Sequence, residues 1–166
     1  TRALAPHRPA MALLLLAVVL FLPAIWTRDV WNPDEPRYAE VTREMVSSGD
    51  YLVPHLNGEI YAEKPPLFFW LGIAAEWLPL VPQGSGPRLV AVAATLGTLL
   101  LTFGLGRDLA NPRVGWLSAI LLATSSMFSQ HASAGVIDPL LTFLTTAAIR
   151  CGLAARANES ATLWAG

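Results

Sequence analysis

Charge is scarce in this sequence. Asp, Glu, Lys and Arg together make up 14% of its 166 residues and hydrophobic residues 54%, whereas ordinary soluble domains carry roughly 25% charged residues. The charges present gather mostly between Arg28 and Glu76, leaving long apolar runs elsewhere bare. With a mean hydropathy of +0.47, this excludes an ordinary soluble domain. A dominant sign of charge is missing too. The net charge is −1 and there is no basic run of the kind a nucleic-acid surface needs, so no nucleic-acid partner is expected. Cysteine is nearly absent: Cys151 alone cannot form an internal disulfide, and no Cys/His spacing suits a zinc ribbon. Internal repeats and low-complexity segments are lacking as well.

What remains is apolar runs. About 20 mainly apolar residues are needed to cross a bilayer, and four segments qualify: 9–27, 88–107, 113–131 and 138–156. The run Ala10–Trp26 is long for a signal peptide and closes on Pro-Ala-Ile-Trp, a poor cleavage site, which predicts a retained first span. A start at Thr1 and an end at Gly166, just beyond an apolar segment, predict a piece of a longer polypeptide. A fifth apolar stretch, 65–82, contains Glu76, four prolines, and Trp70 and Trp77 at i, i+7, a pattern suited to the headgroup region. Topology separates its two readings. With Arg2, His7 and Arg8 placing the N-terminus inside, an interfacial 65–82 puts Arg107, Arg113, Arg150 and Arg156 inside too, whereas a spanning 65–82 puts all four outside. The interfacial reading therefore stands, with the 28–87 loop and the Ser133–Asp138 turn on one outer side.

The outer loop opens on Asn32-Pro33-Asp34-Glu35-Pro36, a helix-start signature with side-chain caps and acids near the positive helix end. An amphipathic pattern follows to Ser48, with Tyr38, Val41 and Met45 on one stripe and Arg37, Glu40 and Glu44 on another. Gly49 is the expected C-cap, and Asn57-Gly58 signals a turn. The apolar stripe is expected to lie on the membrane surface, and the aromatic residues at 68–70 and 77 are expected to touch the membrane.

Several side chains here suit chemistry, each with a plainer reading beside it. Asp34 and Glu35 can supply a general base or simply cap the helix. Asp138, at the mouth of the fourth span, is a functional candidate as an acid at a membrane boundary or an N-cap followed by Pro139. Lys64 can meet a lipid phosphate as a point charge or snorkel to the headgroups. Arg37 and Arg43 can meet phosphate or pair along their own helix. His55 can be a metal ligand or a solvated loop residue.

The run Asp34-Glu35-Pro36-Arg37-Tyr38-Ala39-Glu40, with Arg43-Glu44-Met45, Ser48-Gly49-Asp50-Tyr51, Pro54-His55-Leu56-Asn57-Gly58 and Tyr61-Ala62-Glu63-Lys64-Pro65-Pro66, resembles the first outer loop of bacterial aminoarabinose transferases and related protein-mannosyltransferase-like enzymes. The resemblance covers about 28–80 strongly and extends more loosely to Asp138. It implies an all-α polytopic membrane protein of GT-C type, with about four transmembrane helices and two interfacial helices in the first outer loop. It also implies an inverting glycosyltransferase of the bacterial inner membrane that takes a sugar from a polyprenyl-phosphate donor on the periplasmic side. The acceptor would be lipid A, another envelope glycan or a protein. Asp34 matches the catalytic carboxylate and Asp138 a second acid. Lys64 matches the residue that meets the carrier phosphate, Arg37, Tyr38 and Tyr61 match residues lining the same cavity, and Glu35 joins the substrate-binding set. Glu63 matches a position contributing to a divalent metal site with histidines later in the chain. Pro36 and Pro66 depart from the aminoarabinose type. The competing classes are a transporter or flippase, which predicts ionisable residues within spans or helices broken at mid-bilayer, and a non-catalytic membrane subunit.

Overall fold

The computed structural model describes residues 7–27, 29 and 33–164. The chain is mainly helical, in the order α1 (His7–Phe21), α2 (Ala24–Thr27), α3 (Asp34–Ser48), β1 (His55–Leu56), β2 (Glu59–Ile60), α4 (Leu67–Glu76), α5 (Gly86–Leu109), α6 (Pro112–Thr124), α7 (Ser126–His131) and α8 (Asp138–Trp164). Among the described residues, two helical stretches are long and apolar enough to cross a membrane, Ala10–Thr27 and Gly86–Leu109. Asn32 and Arg28 lie outside the described residues, as do Arg2 and the rest of 1–6.

Helix α5 is the axis of the bundle, against which α1, α3, α4, α6 and α8 pack. Small residues let the neighbours in close. A Cβ on Gly106 would come 2.8 Å from Gly115 Cα of α6, and one on Gly86 would run into the Gly72 carbonyl of α4. Such backbone-to-backbone contact is how helices associate where apolar burial gives no drive. One apolar cluster gathers Tyr38, Val41, Met45, Phe68 and Phe69 with Val90, Val136 and Leu140, and a second gathers Leu13, Phe21 and Ile25 with Val92, Leu99 and Phe103.

Helix α3 buries Tyr38, Val41, Thr42 and Met45 at i, i+3, i+4, i+7. What covers that stripe corrects the expectation of a membrane-facing surface. Phe68 and Phe69 of α4 are fully buried and meet the Tyr38 ring edge to face, with centroids 5.8 and 6.0 Å away. These two phenylalanines are therefore core residues and not membrane contacts, while Trp70 and Trp77 stay exposed. The helix starts at Asp34 with Pro33 in the cap position and no side-chain cap, so the capping part of the expected signature is not made by Pro33. It ends at Gly49, whose φ of 73° gives the left-handed cap and whose N–H donates to Met45 O.

Beyond Gly49 the Asp50 carboxylate accepts from the N–H groups of Leu52 and Val53, both at 3.0 Å. Those bonds, Val53's foremost, hold its carboxyl below the usual range. A two-stranded antiparallel hairpin follows, with His55 opposite Ile60, so the chain is not wholly α. Asn57 and Gly58 take φ of 55° and 80°, as a two-residue turn of this kind requires. Both turn N–H groups donate to Glu44 of α3, at 2.6 and 3.2 Å.

Two expected segments change length. The 65–82 stretch is helical only over α4, and Glu76 at its end accepts from Gly84 N at 3.1 Å. The expected span 113–131 is broken at Ser125, which is extended (φ −67°, ψ 128°) between α6 and α7. Hydroxyls take up the carbonyls near the break: Thr124 Oγ1 donates to Ile120 and Leu121, and Ser129 Oγ to Ala123 at 2.6 Å. The fourth segment is longer than 138–156, running to Trp164. Its Arg150 donates to Asp108 at the far end of α5, at 3.0 Å.

Candidate active site

The first turn of α3 neighbours Tyr61, just after β2, and bonds to Gly135 in the turn before α8. Asp34 is half-buried there, and Arg37 Nη1 sits 3.2 Å from its Oδ1, one turn on. The same guanidinium neighbours Tyr61, whose influence first, with those of Asp34 and Glu63 adding against the cost of burial, holds the Arg37 pKa above its ordinary value. Tyr61 in turn donates to Glu63 Oε2 at 3.3 Å. Two pairs, Asp34 with Arg37 on α3 and Tyr61 with Glu63 in the segment that follows β2, thus lie side by side. Rigid packing fixes the second: Tyr61 is buried with its ring edge-on to Phe69, 6.3 Å between centroids.

Tyr38 is buried beneath these pairs. Its phenol is pushed up to about 12, first by burial and then by the carboxylates of Asp34 and Asp138 nearby, with the Arg37 charge opposing. Tyr61 is also raised, by burial first; Arg37 opposes that and Glu63 reinforces it. Both phenols therefore remain protonated near neutral pH and act as hydroxyls, not as bases. Asp138 opens α8, is exposed, and lines a cavity of about 360 Å³ with His131, Thr95, Ser125 and Thr142. Lys64 is half-buried on the turn before α4, and among the described residues its ammonium makes no ion pair.

Glu35 points elsewhere. It is 3% exposed, pairs with Arg88 Nε in the first turn of α5, and accepts from Gly135 N at 3.0 Å. The sequence-derived candidates omit both partners. An arginine at the lip of an otherwise uncharged apolar run is the signal that points to Arg88; for Gly135 the sequence carries none. Arg43 pairs with Glu40 at 2.5 Å along its own helix and is remote from the Asp34–Arg37 pair. His55 sits half-buried on β1.

A metal at Glu63 needs further ligands. Among the described residues, no group of three His, Cys, Asp or Glu side chains is arranged to hold an ion, and Glu63 is engaged with Tyr61. The residues described here do not by themselves fit a metal.

This helical frame is of the GT-C type seen in ArnT. Two solved structures of ArnT from Cupriavidus metallidurans superpose on it, each at 25% identity. The apo form gives a TM-score of 0.75 over 84% of this chain and 26% of that one. The form bound to undecaprenyl phosphate gives 0.76 over 88% and 27%. The chain belongs to the dolichyl-phosphate-mannose-protein mannosyltransferase family, whose profile matches residues 8–166. Among similar relatives is the undecaprenyl phosphate-alpha-4-amino-4-deoxy-L-arabinose arabinosyl transferase of Edwardsiella ictaluri, 38% identical over 82% of this chain and 25% of the relative. That of Pectobacterium carotovorum is likewise 38% identical, over the same shares. The chain spans about a quarter of the length of the curated relatives it matches.

Proposed function

We propose that the chain is the N-terminal part of a membrane glycosyltransferase that moves a sugar from a polyprenyl-phosphate donor to an acceptor at the periplasmic face. The observation that carries this reading is the gathering of Asp34, paired with Arg37, and Tyr61, bonded to Glu63, around the first turn of α3 above a buried Tyr38. The relatives' names and the undecaprenyl phosphate of the solved structure support the donor class. In this reading residues 1–166 form one module crossing the bilayer four times. The crossings are 9–27, 88–107, α6 with α7 in series, and the first part of α8. Exposed Leu15, Leu16 and Val19 of α1, Leu117 and Leu121 of α6, and Leu141 and Leu144 of α8 suit lipid contact. Helices α3 and α4, with exposed Trp70 and Trp77, form the interfacial layer of the 28–87 loop.

Chemistry follows from charge. Lys64 and Arg37 meet the carrier phosphate and stabilise the negative charge that grows on it as the glycosidic C–O bond breaks. Asp34 takes the proton from an acceptor hydroxyl, or orients an acceptor phosphate, as that oxygen bonds to the sugar carbon from the opposite face. Asp138 holds the acceptor from the other loop, and Glu63 orients Tyr61. Lipid A, another envelope glycan and a protein are the acceptor classes in view.

The test uses the full-length protein in a strain lacking its gene, with the envelope glycolipids and glycans compared by mass spectrometry. Wild type restores a glycosylated product. Asp34→Asn is expected to lower it by about 10²-fold or more while the protein still inserts in the membrane at normal abundance. Near-normal product from that variant defeats the assignment.

A further inference from the structure

The Glu35–Arg88 pair lies at a junction that the chemistry above leaves unused. Glu35 follows Asp34 directly in α3, and Gly135 precedes Asp138 by three residues. One carboxylate oxygen, Glu35 Oε1, accepts from both Arg88 Nε and Gly135 N. A single buried atom thus ties together the turn carrying Asp34, the first turn of α5, and the segment leading to Asp138, across 100 residues of sequence. The tie is tightly enclosed. Ser133, Ala134 and Val136 are buried on either side of Gly135. A Cβ on Gly135 would come 3.3 Å from both Glu35 Cγ and Pro87 Cβ, so a larger residue there would need its neighbours to give by a few tenths of an ångström.

From this geometry we infer that Glu35 and Arg88 are positioning residues, which set the separation of Asp34 and Asp138 through Gly135 and do not touch substrate. The inference rests on the proposed transfer reaction, in which both acids face one substrate. Two groups held on loops 100 residues apart drift unless something rigid joins them, and misplacement by about 1 Å can lower a rate about 100-fold. A buried carboxylate shared between a guanidinium and a backbone N–H is directional and short, which an apolar contact is not. Glu35 and Arg88 lie in the wall of a cavity of about 630 Å³, but with 3% and 6% of their surfaces exposed they are turned towards each other and offer a carrier phosphate little accessible charge, which separates positioning from carrier binding.

The experiment compares four full-length variants: Glu35→Gln, Arg88→Lys, Gly135→Ala, and the double change Glu35→Met with Arg88→Met. Product is scored by mass spectrometry in the deletion strain. Binding of undecaprenyl phosphate and thermal unfolding are measured on purified protein. The double variant removes the buried charges together and keeps the volume, so it is expected to fold even if a single variant does not. Positioning predicts folded protein, undecaprenyl phosphate affinity within about threefold of wild type, and product down about 100-fold for Glu35→Gln and the double variant. Arg88→Lys, which keeps the charge, recovers part of the loss. Product at wild-type level from a folded double variant overturns the inference, because it makes the pair merely architectural. Loss of carrier affinity in step with product overturns it as well and returns Glu35 to the binding surface. Failure of all four variants to fold counts against it in the same way as an architectural pair would. Asp34→Asn is run alongside: if it is inactive while the pair variants are active, positioning alone fails, and if it is active the transfer reading fails first.

Discussion

A phenol packed among phenylalanines resists ionisation because the phenolate loses its water. Tyr38 is such a group, enclosed by Phe68 and Phe69 with Asp34 and Asp138 adding negative field. In the unfolded chain it ionises near 10, its ordinary value, and in the folded chain at about 12. The unfolded chain therefore releases this proton first. Tyr38's contribution to stability is whole below pH about 10 and is lost as pH rises from there towards 12. Tyr38→Phe removes the titrating group and keeps the ring. We expect the thermal midpoint of wild type to fall relative to Tyr38→Phe across that window, with a matching loss of the last tyrosinate absorbance step in the variant. Parallel midpoint curves would show that the hydroxyl is not held as described. The same residue explains what sequence could reveal at this scale. Asp34, Arg37 and Tyr61 were legible because the motif carries them together. The approach of Tyr61 to Arg37 was not, because it depends on how the hairpin folds back onto α3.

Two helix junctions in this fold, α4 with α5 and α5 with α6, are made by close backbone approach at glycines. Gly86 shows it most sharply: a Cβ there would collide with the Gly72 carbonyl and come 2.6 Å from Glu76 Cγ. Since a main-chain carbonyl cannot swing away as a side chain can, Gly86→Ala must push α4 off α5. Overpacking of this kind costs about 1–3 kcal/mol. Gly152→Ala in α8 is the control, because nothing lies within 4 Å of its Cβ position and alanine is the better helix former by about 1 kcal/mol. Thermal unfolding of the full-length protein should place the midpoint of Gly86→Ala several degrees below wild type and that of Gly152→Ala level or above. Equal midpoints for the two would mean that α4 and α5 are not in contact at Gly72. Element boundaries were legible where the cause is local. Gly49 and Asn57-Gly58 mark turns because a positive φ is a property of the residue itself. The break at Ser125 was not, since the Ser129 hydroxyl that satisfies Ala123 reaches back over six residues. Periodicity marked the buried face of α3, yet a stripe says which side is covered and not what covers it.

At the scale of the whole molecule, α5 measures orientation. Its 24 residues rise about 36 Å, more than the roughly 30 Å of a bilayer core, so its two ends reach opposite faces if it spans. Both ends are marked by ion pairs. Arg88 holds Glu35 near the acid cluster at one end, and Asp108 holds Arg150 of α8 at the other. Helix α8 therefore runs from the acid end, at Asp138, towards the Arg107–Arg113 turn. The break at Ser125 lies six residues from the end of α7; if α6 and α7 cross in series, that is nearer one face than mid-bilayer, where a transporter would place its broken helices. These contacts make orientation a single binary question, for which the positive charge around 107–113 predicts that end inside. Labelling of single cysteines with a membrane-impermeant thiol reagent in intact spheroplasts tests it, in a full-length protein otherwise free of cysteine. That background replaces Cys151, which is exposed. Pro36→Cys and Ala62→Cys should label without lysis, and Ala110→Cys, at the far end of α5, only after it. Labelling of Ala110→Cys in intact spheroplasts, with Pro36→Cys protected, would turn the module over and place Asp34 inside, where the proposed periplasmic transfer could not occur. Labelling of all three from outside would mean that α5 does not span, and the fold would then be a surface-bound bundle held by α1.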